Sequence, residues 1–213
     1  MRKRDNPYTP GAGRRPAVLA GRDDDLVGFE DVLGRLAGGG YERSIIYTGL
    51  RGVGKTVLLM ELDVLATDAG WATTDVQEVG STPDFRATFT DMAVRLLRQM
   101  SRRHRYRERV DAALGVVKAF SLAVPGSPVQ IKLAVEPPTG RADSGDPAQD
   151  LAELLVEIGD AARAGGTGAL FLIDEMQQLD AVSLSALCIA FQAVSRNGLP
   201  VALVGAGLPD LQA

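Results

Sequence analysis

One segment of eight residues combines spaced glycines with a lysine and a threonine, a combination suited to binding phosphate groups. Glycines let the chain turn tightly, so that successive backbone N–H groups point inward at phosphate oxygens. Lys55 reaches the outer phosphates of a nucleotide, and the Thr56 hydroxyl joins the coordination shell of Mg²⁺. The segment fits the pattern G-x-x-x-x-G-K-[ST], and we predict that it binds a nucleotide. Its residues are Gly49, Leu50, Arg51, Gly52, Val53, Gly54, Lys55 and Thr56.

Two adjacent carboxylates form the second chemical feature. Asp174 and Glu175 directly follow an apolar run at 169–173, at the C-terminal end of a predicted buried strand. Ligands of α/β proteins bind at such strand ends. We expect Asp174 to hold Mg²⁺ through its water shell and Glu175 to orient or deprotonate an attacking water. Lys55 and Glu175 are therefore the predicted catalytic residues.

The elements around these residues alternate between strands and helices. Compact apolar runs predict strands at 44–48, 71–79, 169–173 and 199–204, and amphipathic spacing predicts helices between them. An apolar strand precedes the glycine-rich segment and an amphipathic helix follows it. Strands without polar alternation, separated by amphipathic helices, indicate a parallel sheet covered on both faces. The fold class is therefore α/β.

Residues 120–135 interrupt this alternation. Two stretches that resemble strands, 120–124 and 129–135, flank Pro125-Gly126-Ser127-Pro128 and predict a β-hairpin. A polar loop at 137–146 and a helix capped by Asp146, with Pro147 in its first turn, follow. We predict an insertion at about 116–146 that contains this hairpin.

Composition excludes several classes of protein. The chain has 213 residues, a formal charge of −4, one cysteine and one histidine, so it has neither a disulfide framework nor a cysteine-rich metal site. No apolar run is long enough to span a membrane, and we expect no membrane partner and a cytoplasmic location. Cys188 is expected on the apolar face of its helix.

Together, the glycine-rich segment and the acid pair resemble the ASCE division of P-loop NTPases. The run Pro16-Ala17-Val18-Leu19-Ala20-Gly21-Arg22-Asp23 resembles the G-R-[DE] box of AAA+ ATPases, with origin-recognition-like and STAND-like members most similar. The resemblance implies an ATPase with ATP and Mg²⁺ as cofactors, in a three-layer P-loop NTPase sandwich. It also places Val18, Leu19 and Arg22 beside the adenine.

This chain departs from the AAA+ pattern in two places. The strand at 199–204 runs into Gly205-Ala206-Gly207, where relatives carry a polar sensor residue near the terminal phosphate. We count four of the five AAA+ core strands, plus the hairpin. We therefore expect an ATPase core at 17–213 that is incomplete at its C-terminus, where the lid is absent. Residues 1–16, which are basic and rich in glycine and proline, are expected to form a flexible arm.

The sequence leaves three functions open. The module either couples ATP hydrolysis to a conformational switch or, as a STAND-type signalling switch, binds nucleotide with little hydrolysis. The third possibility is a nucleotide-dependent DNA-binding initiator or regulator, whose phosphate contacts would come from an arginine cluster. The same cluster is more typical of a solvated helix end. A protein partner or a homo-oligomer is also compatible with the family. The arginines of the cluster are Arg102, Arg103, Arg105 and Arg107.

Overall fold

A computed structural model describes residues 21–80, 84–101, 107–122 and 135–212. Within these residues, four strands form one sheet in which every pairing is parallel. The order across the sheet is β1-β4-β3-β2, which confirms the predicted parallel sheet of four strands. The strands are β1 (Ile45–Thr48), β2 (Ala72–Glu78), β3 (Ala169–Asp174) and β4 (Val201–Gly207).

Helices cover both faces of the sheet. The described helices are α1 (Asp23–Ala37), α2 (Lys55–Asp68), α3 (Asp84–Ser101), α4 (Arg107–Leu122), α5 (Pro147–Ala164) and α6 (Ala181–Arg196). α1 and α2 pack on one face, and α3 to α6 pack on the other. The result is the three-layer sandwich that the sequence predicts.

Alternate residues of β3 pack into two hydrophobic cores, one on each face of the sheet. Leu170 and Leu172 point to the layer of α1 and α2, whereas Phe171 and Ile173 point to the other layer. In that second core the Phe171 ring stacks on Phe89 of α3, with centroids 4.9 Å apart. Because both faces are buried, the strand is apolar throughout except for Asp174 at its end.

The prediction of a β-hairpin at 120–135 is wrong for the residues of this stretch that the structure describes. Residues 120–122, expected to begin the first strand, form the last turn of α4, and so the proposed insertion at 116–146 begins within this helix. Val110, Ala113, Val117 and Phe120 are buried at helical spacing, and packing of this face against α3 and α5 outweighs the local preference for a strand. Residues 123–134 of the predicted hairpin lie outside the described residues, as does the arm at 1–16. Val135, the last residue of the predicted hairpin, lies in a bend and not in a strand.

Two other expectations need correction. β4 continues through Gly205-Ala206-Gly207, three residues beyond the predicted end of this strand at Val204. Cys188 is exposed on α6, because the buried face of that helix runs through Ala186, Leu187 and Ala190. The predicted cap of α5 is confirmed, since the Asp146 side chain accepts hydrogen bonds from the N–H groups of residues 148 and 149.

No helix among the described residues combines the length and the apolar character that a membrane crossing needs.

Candidate functional site

Parallel pairing places the predicted site residues at one edge of the sheet. β1 and β3 lie on either side of β4, with Thr48 paired to Gly207 and Ile173 paired to Gly205. Because the three strands run in the same direction, the loop that follows β1 and the acids that end β3 emerge side by side.

The glycine-rich loop of residues 49–54 has a backbone that only glycine adopts easily. Gly52 and Gly54 have φ angles of +80° and +85°, in the left-handed region that costs other residues about 1–2 kcal/mol. Gly54 caps α2, which begins at Lys55. The first N–H groups of a helix have no partner within it and carry a partial positive charge, so this end of α2 suits an anion.

Lys55 folds back over the loop. Only 7% of its surface is exposed, and its Nζ donates to the carbonyl oxygens of Gly49 at 2.9 Å and Leu50 at 3.0 Å. Its ammonium group is therefore held against the start of the loop by neutral acceptors. The outer side of the loop is exposed at Leu50, Arg51 and Val53.

A direct contact joins the start of α2 to the acid pair. The Thr56 hydroxyl donates to Oδ2 of Asp174, although the two residues are 118 positions apart in the chain. Asp174 is 3% exposed, and its other oxygen, Oδ1, accepts from the backbone N–H of Glu175 at 2.8 Å. The residues predicted to hold Mg²⁺ are thus neighbours.

Glu175 turns the chain sharply at the end of β3. Its φ of +50° is unusual for a residue with a side chain, and a short 3₁₀ turn, Met176–Gln178, follows it. Its carboxylate is half-buried and accepts a hydrogen bond from Nε2 of Gln177. Gln177 was not among the predicted site residues; the available signal was a glutamine two positions after the acid pair.

The predicted adenine-side residues are only partly described. Arg22 precedes α1 and donates from Nη1 to Asp25 at 2.9 Å. Burial raises the pKa of the Tyr47 hydroxyl in β1, the nearby Asp25 carboxylate raises this pKa further, and the Arg22 guanidinium lowers it. Leu26 of α1 and Tyr47 pack against the same hydrophobic core, so the start of α1 lies on the face of the sheet that α2 covers. Val18 and Leu19 lie outside the described residues.

The arginine cluster is described only at its last member. Arg107 is exposed at the start of α4, where it forms an ion pair with Asp111 at 3.8 Å. Arg102, Arg103 and Arg105 lie outside the described residues.

Comparison with known proteins decides the family. A family model described as the AAA ATPase domain matches residues 18–204. The chain belongs to this family. The match covers most of the chain, including the glycine-rich loop and the acid pair, and identifies an AAA+-like nucleotide-binding module. Neither a curated protein nor a solved structure shows a significant match to it.

The AAA ATPase domain match agrees with the parallel four-stranded sheet and the helical layers of the structure. AAA ATPase domains generally bind ATP with Mg²⁺, and the groups gathered at the sheet edge have the matching chemistry: a helix N-terminus, a buried lysine, a hydroxyl and two carboxylates. Sequence motifs found these groups, whereas the hydrogen bonds among them required the folded structure.

Proposed function

We propose that this module binds ATP with Mg²⁺ through residues 49–56 and Asp174, and hydrolyses the ATP with Glu175. The observation that carries the proposal is the hydrogen bond between Thr56 and Asp174. It brings a hydroxyl at the start of a helix next to a buried carboxylate. An anion alone would be repelled by this carboxylate, whereas a metal ion bound to a nucleotide would be attracted to it.

Phosphate binding would use three groups of the chain. The inward-facing N–H groups of the loop and the N-terminus of α2 would receive phosphate oxygens. Lys55 would exchange its two neutral carbonyl acceptors for charged oxygens. The ammonium group already assists its bonds to the carbonyls, and charged phosphate oxygens would add a direct attraction between opposite charges, so the exchange favours the bound state.

The metal would be held by few protein ligands. The described residues contain no cluster of three or more His, Cys, Asp or Glu side chains suited to a metal ion. Mg²⁺ commonly takes one or two protein ligands and completes its shell with water and substrate phosphates, so Thr56 and Asp174 fit the ion. When bound, Mg²⁺ would neutralise part of the charge on the phosphates.

Glu175 is the proposed general base. A carboxylate that is half-buried and held by a neighbouring amide can orient a water molecule and accept its proton.

Arg22, Val18 and Leu19 are proposed to contact the adenine side. The Gly49 N–H donates to the carbonyl of Gly207 at 3.2 Å, and we propose that this bond carries changes in the loop to β4 as a conformational switch.

Two substitutions test the proposal. Lys55→Ala should abolish ATP binding, and Glu175→Gln should retain binding but stop phosphate release. Lys118→Ala is the matched control, because the Lys118 Nζ also donates to a backbone carbonyl, that of Val135 at 2.8 Å, and this variant should bind ATP normally.

Isothermal titration with ATP and Mg²⁺ measures binding, and steady-state phosphate release measures turnover. Unchanged affinity in Lys55→Ala would refute the binding site. Tight binding by the wild-type protein with turnover near background would instead favour a nucleotide switch with little hydrolysis.

A further inference from the structure

The end of β4 lacks a polar side chain that could reach the acid pair. Its last three residues, Gly205-Ala206-Gly207, are all buried. The strand lies between β1 and β3, whose C-terminal ends carry the loop and the acids. Any side chain that links β4 to Glu175 must therefore come from another element.

Gln177 makes this link from the 3₁₀ turn. Its Oε1 accepts from the backbone N–H of Leu208, the residue after β4, at 3.0 Å, and its Nε2 donates to Oε2 of Glu175. A backbone N–H can only donate, so Oε1 must face Leu208 and Nε2 must face the carboxylate. Glu175 therefore receives a donor whose orientation is set by the backbone N–H that follows β4.

The glycines of β4 leave room for the turn that carries this glutamine. A Cβ atom at Gly205 would lie 2.0 Å from the sulfur of Met176. One at Gly207 would lie 2.1 Å from Cδ1 of Leu211 and 3.1 Å from Oε1 of Gln177. The stretch that lacks a polar residue is thus the stretch that lets Met176 and Gln177 approach β4.

The link belongs to a continuous series of hydrogen bonds around the site. From Glu175 it runs through Gln177 to Leu208, and the neighbouring Gly207 carbonyl accepts from Gly49 in the loop. In the other direction the Glu175 N–H donates to Asp174, which accepts from Thr56. Glu175 is therefore linked through its carboxylate to the start of the loop, and through its backbone N–H to the start of α2.

We propose that Gln177 is a positioning residue, which holds the Glu175 carboxylate against the end of β4 in the orientation needed to act on water. This inference rests on the proposed function, because it requires Glu175 to be the base. Loss of the donor frees the carboxylate to rotate, and small misplacements of catalytic groups reduce rates by up to about a hundredfold.

Gln177→Glu tests the proposal. It retains the side-chain length and an acceptor for the Leu208 N–H, but replaces the donor by a second carboxylate facing Glu175. Gln178→Glu is the matched control, because Gln178 is exposed in the same turn and the change in charge is the same.

We expect kcat for ATP hydrolysis to fall at least about tenfold in Gln177→Glu, with KM and ATP affinity close to those of Gln178→Glu. In a Glu175→Gln background the same change should leave the residual rate unaltered, because Gln177 acts through Glu175. Equal kcat values for Gln177→Glu and Gln178→Glu, or a further loss in the double variant, would overturn the proposal. Gln177→Ala replaces Gln177→Glu if the latter does not fold.

The outcomes for Glu175 and Gln177 are separable. A wild-type protein without turnover, or one whose turnover survives Glu175→Gln, overturns the proposed function and the role of Gln177 with it. Turnover that disappears in Glu175→Gln and persists in Gln177→Glu overturns the role of Gln177 alone.

Discussion

Asp150 lies in α5 with no exposed side-chain surface and accepts hydrogen bonds at both carboxylate oxygens. Nη2 of Arg86 donates to Oδ2, while the backbone N–H and the hydroxyl of Ser144 donate to Oδ1 at 2.9 and 2.7 Å. Arg86 also donates to the carbonyl of Phe120 at 3.1 Å, and its guanidinium carbon lies 4.2 Å from the centre of the Phe120 ring. This buried ion pair therefore connects α3, α4 and α5.

Asp150→Asn isolates the charge. Asparagine has the same size and keeps an acceptor for Ser144, but it presents no negative charge to Arg86. Breaking a buried ion pair from one side costs about 3–5 kcal/mol, since the remaining charge stays buried without its partner. For a domain of this size 1 kcal/mol corresponds to about 2–4 °C in Tm, so we expect Tm to fall by about 6–20 °C.

Urea unfolding followed by the fluorescence of Trp71 measures the loss, since this single tryptophan is buried. Asp75→Asn is the matched control: Asp75 forms an ion pair with Arg95 at 3.1 Å in which both side chains are more than half exposed. Such exposed pairs contribute about 0–1 kcal/mol. A loss in Asp150→Asn no larger than that in Asp75→Asn would refute the reasoning.

The pH dependence gives an independent check. Burial raises the pKa of the Asp150 carboxyl, but the hydrogen bonds from Ser144 and Arg86 outweigh it and hold this pKa below its ordinary value. The stabilisation is complete above the pKa of aspartate in the unfolded chain, about 3.9, and is lost as the pH falls through the lower folded value. The difference in unfolding free energy between wild type and Asp150→Asn should therefore be constant near neutral pH and shrink below about pH 4.

Two further predictions concern α2 and the loop that precedes it. Burial raises the pKa of Asp63, a hydrogen bond with the Thr73 side chain lowers it, and the charge of Asp75 raises it, so that this pKa lies above its ordinary value. Within the part of the chain that the structure describes, Asp63 Oδ1 is buried without a hydrogen-bond partner. Because the folded pKa is raised, Asp63 destabilises the fold progressively as the pH rises above the unfolded pKa of about 3.9, and fully above the folded pKa. Asp63→Asn should therefore raise Tm at pH 7 and have less effect at pH 4. An unchanged or lower Tm at pH 7 would contradict this. Gly54→Ala places a Cβ in open space but at a φ of +85°, so the cost is backbone strain. The loss in unfolding free energy, measured by urea unfolding, and the loss in ATP-binding free energy, measured by titration calorimetry, should add up to about 1–2 kcal/mol. A combined loss under about 0.5 kcal/mol would show that alanine adopts this conformation without strain.

The sequence alone determined the parts of the site that are local. Residues 49–56 carry their own turn, charge and hydroxyl within one continuous segment, so spacing was enough to recognise them. The strands were equally evident, because a strand buried on both faces must be apolar along its length, as β3 is.

The tertiary structure decided what depends on contacts between distant segments. The stretch at 120–122 has residues that favour a strand, yet it is helical because Val117 and Phe120 bury their side chains against neighbouring helices. Thr56 approaches Asp174 at one edge of a sheet in which β4 lies between β1 and β3, and no local pattern specifies that order. The bond from Gln177 to Leu208 likewise joins two polar groups that have no sequence relation. Local patterns determine backbone conformation and burial, whereas pairing between remote polar groups follows from the packing that brings them within hydrogen-bond distance.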